Sequence, residues 1–398
     1  MKTVLIYSEC PFFGGSENVI PVLLKDSELN KNFRIVFYYK YSKKYVEGLQ
    51  YKIDVKQFEI SSIQYNHENL LQKIKLGRFF KLIEFPIIIM DVLIQLPKFK
   101  LINPDLIFIN NGGYPAARTC RSAVFTAKLV GIKNILFMVN NIAVPYKTIK
   151  RFIDYPVDHY IKKFTDLFLT ASQYAKDALM DVLKLNNNKI LLALNTFDTK
   201  SVTTTPQKLK LKLNLEKDSF IIGTVGELAK RKGHHVLIDA IKNISKTLEK
   251  KIIVLIIGDG PEKEVLEKMI HDYNLSESIK LIPFTDNIFN YYNIFDLYVH
   301  PTVADDDLPF TVREAMSLGL PIIASEFAGI PELIEHENNG ILVEPNQPEK
   351  LSAQIHDLII NEDKRNLLGE NSRKVFEKKL SKKVILKNYQ QIFSRYTT

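Results

Sequence analysis

The 398-residue chain is poor in cysteine and lacks long apolar runs, short-period repeats and low-complexity segments. Each lack removes a class of protein. The two cysteines, Cys10 and Cys120, have no metal-ligand spacing, which argues against a disulfide scaffold or a thiolate metal site and suits a reducing compartment. The apolar run Phe85–Ile94 is short and interrupted by Asp91, so it does not span a bilayer. The N-terminal run Met1–Tyr7 gives way at once to Ser8 and Glu9; it is too short for a secretion signal and reads as a first strand. No nucleic-acid-binding motif is present.

What is present is an ordinary globular composition, 46% hydrophobic and 25% charged, with length enough for two domains. The net charge of +9 is unevenly spread. Residues 1–200 hold 28 Lys and Arg against 17 Asp and Glu, whereas residues 201–398 hold 26 against 28. A basic first half suits an anionic partner (a membrane surface, a nucleic acid or a phosphorylated acceptor) and equally suits a solvated face with no partner.

Apolar strands alternate with amphipathic stretches through the first half, as in βαβ units. Strands are expected at Thr3–Tyr7, Phe33–Tyr39, Leu106–Asn110, Ile135–Val139 and Leu167–Ala171. After the first comes a turn holding Gly14 and Gly15, then a helix from about Asn18. Paired glycines there let the backbone approach a ligand, and the helix N-terminus favours an anion. Residues 72–100 combine Lys73, Lys75, Arg78, Lys81, Lys98 and Lys100 with the run Phe85–Ile94. Such a segment lies in a membrane interface or packs as a buried helix with solvated ends. A second basic cluster, Lys147, Lys150, Arg151, Lys162 and Lys163, brackets Phe152, Tyr155 and Tyr160. Residues Lys200–Lys217 read as a linker with a short helix.

The second half repeats the alternation. Strands Ser219–Val225 and Ile252–Ile257 each run into a glycine-bearing turn, Gly226–Gly233 and Gly258–Pro261, and then a helix, which predicts a second doubly wound domain. A further strand ends at Pro283-Phe284, a short helix is expected over Tyr291–Asp296, and Lys350–Tyr396 is helical and charged. The most heavily punctuated stretch runs from Val299 to Glu332. A strand closes at His300 and Pro301, and a loop carries Asp305, Asp306 and Asp307. A helix then runs from about Phe310 to a C-cap at Gly319, and Pro321 opens the buried strand Ile322-Ile323-Ala324. Asp306 and Glu314 stand eight residues apart, one in the loop and one on the helix.

With Ala315-Met316, Gly319, Pro321 and Ile322-Ile323-Ala324 behind it, the Asp306–Glu314 pair resembles the donor-site signature of retaining glycosyltransferases of family 4. The resemblance is firm over about residues 219–345 and loose over 1–198. It implies an α/β fold of the GT-B type, two Rossmann-like doubly wound domains facing a central cleft. Residues 1–198 would bind acceptor, 199–217 would link, 218–378 would bind the nucleotide-sugar donor, and 379–398 would form a helix crossing back to the first domain.

Carried over position by position, the resemblance makes Lys232 the cation that stabilises the leaving diphosphate, with Lys230 and Arg231 beside it. Glu314 would accept hydrogen bonds from the ribose hydroxyls and Asp306 would contact the donor sugar, with Asp305 or Asp307 in that role if the loop register differs. Gly14, Gly15 and the backbone N–H groups of Phe310 and Thr311 would complete the donor site. Asn110, Asn111 and Asn140 are the expected acceptor contacts.

Two positions depart from the family pattern. Glu227 stands where an arginine is expected, five residues before Lys232, and a carboxylate cannot hold a diphosphate. Asn140 stands where a histidine is frequent; asparagine hydrogen-bonds a hydroxyl but is no base. In retaining enzymes of this class the leaving phosphate is thought to take the acceptor proton, so transfer does not need that histidine.

The three aspartates suit a cation on chemistry alone, but the resemblance implies no metal. It also implies no cofactor beyond a nucleotide-sugar co-substrate, a UDP-sugar by family habit. The reading is a cytoplasmic glycosyltransferase of bacterial surface polysaccharide biosynthesis, acting on a glycan or lipid-linked acceptor, peripheral at the inner face of the cell membrane. Its rivals are a catalytically silent GT-B partner subunit, which Glu227 and Asn140 keep open, and a GT-B nucleotide-sugar epimerase.

Overall fold

The computed structural model describes residues 1–67, 84–199, 202–244 and 251–397. Lys73, Lys75, Arg78 and Lys81 of the first basic segment lie outside them. The chain forms two compact units, Met1–Asp198 with Lys382–Thr398, and Thr199–Ser381.

Unit 1 is built on a parallel sheet of β1 (Lys2–Ser8), β2 (Phe33–Lys40), β3 (Glu59–Ile63), β4 (Leu106–Asn111), β5 (Asn134–Val139), β6 (Leu167–Thr170) and β7 (Ile190–Leu192), in the order β3-β2-β1-β4-β5-β6-β7. The central strands are buried on both faces, which is why they read as continuous apolar runs. In register, Val4 faces Ile35 on one side and Leu106 on the other. Its helices include α1 (Val19–Lys25), α2 (Lys43–Lys52), α3 (Glu84–Ile102), α4 (Arg118–Val130), α5 (Ile149–Phe152), α6 (Tyr155–Phe164) and α7 (Gln173–Leu183). On one sheet face α3, α4, α6 and α7 bury Ile88, Val124, Ile161 and Leu179 against Ile107 and Phe137. On the other, α1, α2 and the C-terminal helix Lys382–Arg395 bury Leu23, Leu49 and Phe393 against Ile6 and Phe108.

Unit 2 repeats the plan with β8 (Phe220–Val225), β9 (Ile252–Ile257), β10 (Ile279–Ile282), β11 (Leu297–His300), β12 (Ile322–Ser325) and β13 (Ile341–Val343), all parallel, in the order β10-β9-β8-β11-β12-β13. Its helices include α8 (His234–Ile244), α9 (Lys263–Asp272), α10 (Ile288–Tyr292), α11 (Phe310–Ser317), α12 (Pro348–Ile360) and α13 (Glu362–Val375). Both sheets change winding direction once, between β1 and β4 and between β8 and β11. At such a switch point the strand C-termini open a crevice, the ordinary ligand position in doubly wound sheets.

Several sequence expectations need adjustment. The helix expected over Tyr291–Asp296 lies earlier, at Ile288–Tyr292, because Phe289 and Tyr292 are the residues it buries. The short helix expected in the region 199–217 is present at Pro206–Lys212, with its Leu209 buried. The run Phe85–Ile94 is half core: Ile87, Ile88, Asp91 and Val92 are buried, and Phe85, Ile89, Met90 and Leu93 are exposed. Among the described residues no helix is long and apolar enough to cross a membrane.

Candidate functional site

At the switch point of unit 2, β8 leads into the loop Gly226–Gly233, which ends in a 3-10 turn over Lys230–Lys232 before α8 begins. Gly233 has φ +68, and a Cβ there would lie 1.9 Å from the Pro301 carbonyl oxygen. No other residue permits that approach. Gly258, at φ +154, brings the loop after β9 equally close to Gly226. The Lys230–Lys232 turn is further stitched to the loop after β11: the Arg231 carbonyl accepts from Val303 N at 2.8 Å and from the Thr302 hydroxyl at 3.0 Å.

This backbone frame places three charged groups together. Lys232 Nζ donates to Asp306 Oδ2 at 2.5 Å, and His300 Nε2 lies 2.8 Å from the same oxygen. Burial opposes ionisation of Asp306, but the hydrogen bond from His300 and the Lys232 charge outweigh it and hold the carboxyl well below the usual range. Burial likewise depresses His300, opposed by its hydrogen bond to Asp306, and its Nδ1 faces the Tyr298 hydroxyl at 3.5 Å. Beside them, Arg231 Nη2 donates to Glu227 Oε2 at 2.7 Å and Nη1 to the Asp305 carbonyl at 3.3 Å. The carboxylate at position 227 therefore holds a guanidinium supplied from four residues on. Lys230 is exposed.

Glu314 sits on α11, half-buried, with Oε2 accepting from the fully buried Tyr292 hydroxyl at 3.0 Å. Phe310 and Thr311 form the first turn of that helix, with the Arg313 guanidinium 4.1 Å from the centre of the Phe310 ring. Of the three aspartates, Asp305 is exposed at φ +47, whereas Asp306 and Asp307 are buried. Among the described residues no group of three or more His, Cys, Asp or Glu is placed to hold a metal ion.

At the switch point of unit 1, Asn110 and Asn111 end β4, one residue beyond the strand expected from the sequence, and are buried. Asn110 Nδ2 donates to Glu17 Oε1 at 2.9 Å, and Asn111 Oδ1 accepts from Ala117 N at 2.9 Å. Half-buried Asn140 donates to Asn110 Oδ1 at 3.0 Å and accepts from Asn195, which in turn accepts from the Tyr389 hydroxyl at 3.3 Å. A chain of side-chain hydrogen bonds thus crosses the strand ends, and Asn140 is its half-buried member. Gly14 and Gly15 lead into the 3-10 turn Gly15–Glu17, which buries Glu17 against Ser8, Tyr45 and Asn110. Burial, opposed by those hydrogen bonds, pushes the Glu17 carboxyl up to about 7.

His300, Glu17, Tyr292 and Asn195 are site residues that the sequence reading did not single out. A histidine closing a strand six residues before Asp306 is a usable signal for the first; the other three depend on tertiary packing and have none.

The two doubly wound units and these loops define a GT-B fold, and known proteins bear on its use. Residues 207–375 match the family described as glycosyl transferases group 1. An uncharacterised glycosyltransferase of Methanocaldococcus jannaschii, MJ1069, is 27% identical over 246 residues, 61% of this chain and 62% of that protein. The amylovoran biosynthesis glycosyltransferase AmsK of Erwinia amylovora is 36% identical over 157 residues, 37% of this chain and 38% of its own. The chain thus spans less than two thirds of the length of these curated relatives. The crystal structure of Anabaena Alr3699/HepE in complex with UDP superposes with a TM-score of 0.79 over 99% of this chain and 100% of that one, at 18% identity, which establishes a shared fold.

Proposed function

We propose that the chain is a retaining, metal-independent glycosyltransferase that moves a sugar from a nucleotide-sugar, a UDP-sugar by preference, to a glycan or lipid-linked acceptor in surface polysaccharide biosynthesis. The observation that carries this reading is the cationic pair Lys232 and Arg231 fixed at the switch point of unit 2, with Glu314 on the neighbouring helix. The match of residues 207–375 to glycosyl transferases and the UDP bound to HepE support it.

In this reading the diphosphate draws Lys232 away from Asp306, and Lys232 and Arg231 offset the charge that builds as the bond from the anomeric carbon to the diphosphate oxygen breaks. Asp306, still held by His300, is then released to accept from a sugar hydroxyl. Glu314 accepts from the ribose hydroxyls. The acceptor oxygen bonds to the anomeric carbon on the face the diphosphate leaves, and its proton passes to the departing phosphate oxygen. Asn140 meets the acceptor as a hydrogen-bonding group only.

The test is incubation of the full chain with UDP-sugars and lipid-linked glycan fractions, following UDP release and the mass of the glycan. Sugar-dependent UDP release with a matching mass increase supports the reading. Nucleotide binding with no transfer to any acceptor would instead favour the silent-partner reading, in which Glu227 and Asp306 keep both cations neutralised.

A further inference from the structure

We propose that Glu17 is a positioning residue for Asn140: acting through Asn110, its carboxylate orients the Asn140 amide so that the amide oxygen accepts a hydrogen bond from a substrate hydroxyl. Placing a substrate at Asn140 rests on the transfer reading; the coupling of Glu17 to Asn140 does not. Every bond of the chain runs in one direction. Asn110 Nδ2 donates to Glu17 Oε1 at 2.9 Å and Asn140 Nδ2 to Asn110 Oδ1 at 3.0 Å. Asn195 Nδ2 donates to Asn140 Oδ1, and the Tyr389 hydroxyl to Asn195 Oδ1 at 3.3 Å. An ionised carboxylate only accepts, so Glu17 is the end toward which each donor points. Two backbone carbonyls agree with it: Ser16 accepts from Asn110 Nδ2 at 3.2 Å, and Asn111 from Asn140 Nδ2 at 2.7 Å.

This leaves Asn140 one group to offer. Both its N–H bonds are held inside unit 1, and Asn195 takes one of the two lone pairs on Oδ1. The second lone pair, on a half-buried side chain, is an acceptor for an O–H. Glu17, Asn110, Asn195 and Tyr389 are all buried, so the direction of the chain is set where water does not compete.

The pull on Asn110 depends on charge at Glu17. The Ser8 and Tyr45 hydroxyls and the Asn110 amide all donate to it, a set that matches the ionised carboxylate; a protonated carboxyl would displace one of them with its own O–H. Burial, offset in part by these neutral donors, places its titration near 7. The other titratable groups around it keep one form at that pH. Burial raises Tyr45 on α2 and Cys120 on α4, and it pushes Cys10, just beyond β1, up to about 11. Glu9, where the Lys40 ammonium at 2.7 Å outweighs burial, stays ionised below its usual range.

The experiment is nuclear magnetic resonance of the full chain with isotope-labelled asparagine, the Asn140 side-chain signals being those that Asn140→Ala removes. In the wild type these signals are expected to shift with a midpoint near pH 7, and in Glu17→Gln to stay fixed across that range. Transfer from a UDP-sugar is followed alongside. Wild-type kcat/KM is expected to rise about tenfold through the same midpoint, the difference between a hydrogen bond to a carboxylate and one to a neutral group. Glu17→Gln should remain at the low level throughout, and it should add no further loss to Asn140→Ala. A merely structural role for Glu17 predicts instead two losses that multiply in the double variant. Multiplying losses overturn the proposal, as do Asn140 signals indifferent to both pH and Glu17→Gln. If no acceptor is glycosylated, the transfer reading fails, and the Asn140 signals still decide whether Glu17 positions that side chain.

Discussion

At position 227 a carboxylate stands where the resemblance expects a guanidinium, and the structure shows that carboxylate holding Arg231 instead. The cation has moved four residues along the same loop, with Glu227 as the group that positions it. Arg231→Ala should therefore weaken nucleotide-diphosphate binding about tenfold, the loss of one charge-assisted contact, and the double variant Glu227→Arg with Arg231→Ala should recover most of it in the same titration. Lys232→Ala should lower kcat about 100-fold with the circular dichroism spectrum unchanged. Glu17 and His234 give opposite pH signatures. Glu17, ordinarily at 4.5, is raised to about 7, so between those values the folded chain holds a proton the unfolded chain lacks, and stability falls as pH rises. Burial pushes His234 down to about 4 from 6.5, which makes stability rise with pH across that window. Glu17→Gln removes only the first effect. Its stability relative to wild type should grow by up to about 3 kcal/mol from about pH 5 to about pH 7.5, read by urea denaturation.

Among the elements, the loops of unit 2 carry the precision of the site. Gly233 is the clearest case, since any side chain there strikes Pro301; Gly233→Ala should destabilise by at least about 2 kcal/mol and weaken nucleotide binding. What was legible in the sequence follows burial. Strands enclosed on both faces, such as β4, β5 and β9, announce themselves as apolar runs within a residue of their ends. The edge strand β3, Glu59–Ile63, is mostly solvated, and β7 and β13 span three residues each, too short for a periodic signal to rise above their loops. The Asp306–Glu314 helix-and-loop unit was legible because glycine and proline mark each of its bends. His300 closes β11 six residues before Asp306, a signal that its position offered, but its partner is fixed only when the loop folds the carboxylate back over the strand end.

For the whole molecule, the sequence showed two doubly wound units but not how polar groups at the strand ends are shared out. Asn110 and Asn111 are acceptor contacts by resemblance; in the structure Asn110 is an interior member of the hydrogen-bond chain from Glu17 to Tyr389, and Asn111 is buried and accepts from Ala117 N. That chain ends on the C-terminal helix, whose Phe393 and Tyr389 are buried in the core of unit 1. Phe393→Ala should cost about 3 to 5 kcal/mol, measurable as a lowered thermal midpoint. The central claim concerns unit 2, where Lys232, Arg231 and Glu314 are assigned to a nucleotide diphosphate. Its most direct test is calorimetric titration of UDP and GDP into the wild type, Lys232→Ala and Glu314→Ala. The account predicts saturable binding of UDP to the wild type, strongly weakened in both variants. Binding that survives both substitutions, or no binding of either nucleotide to the wild type at millimolar concentration, would contradict it.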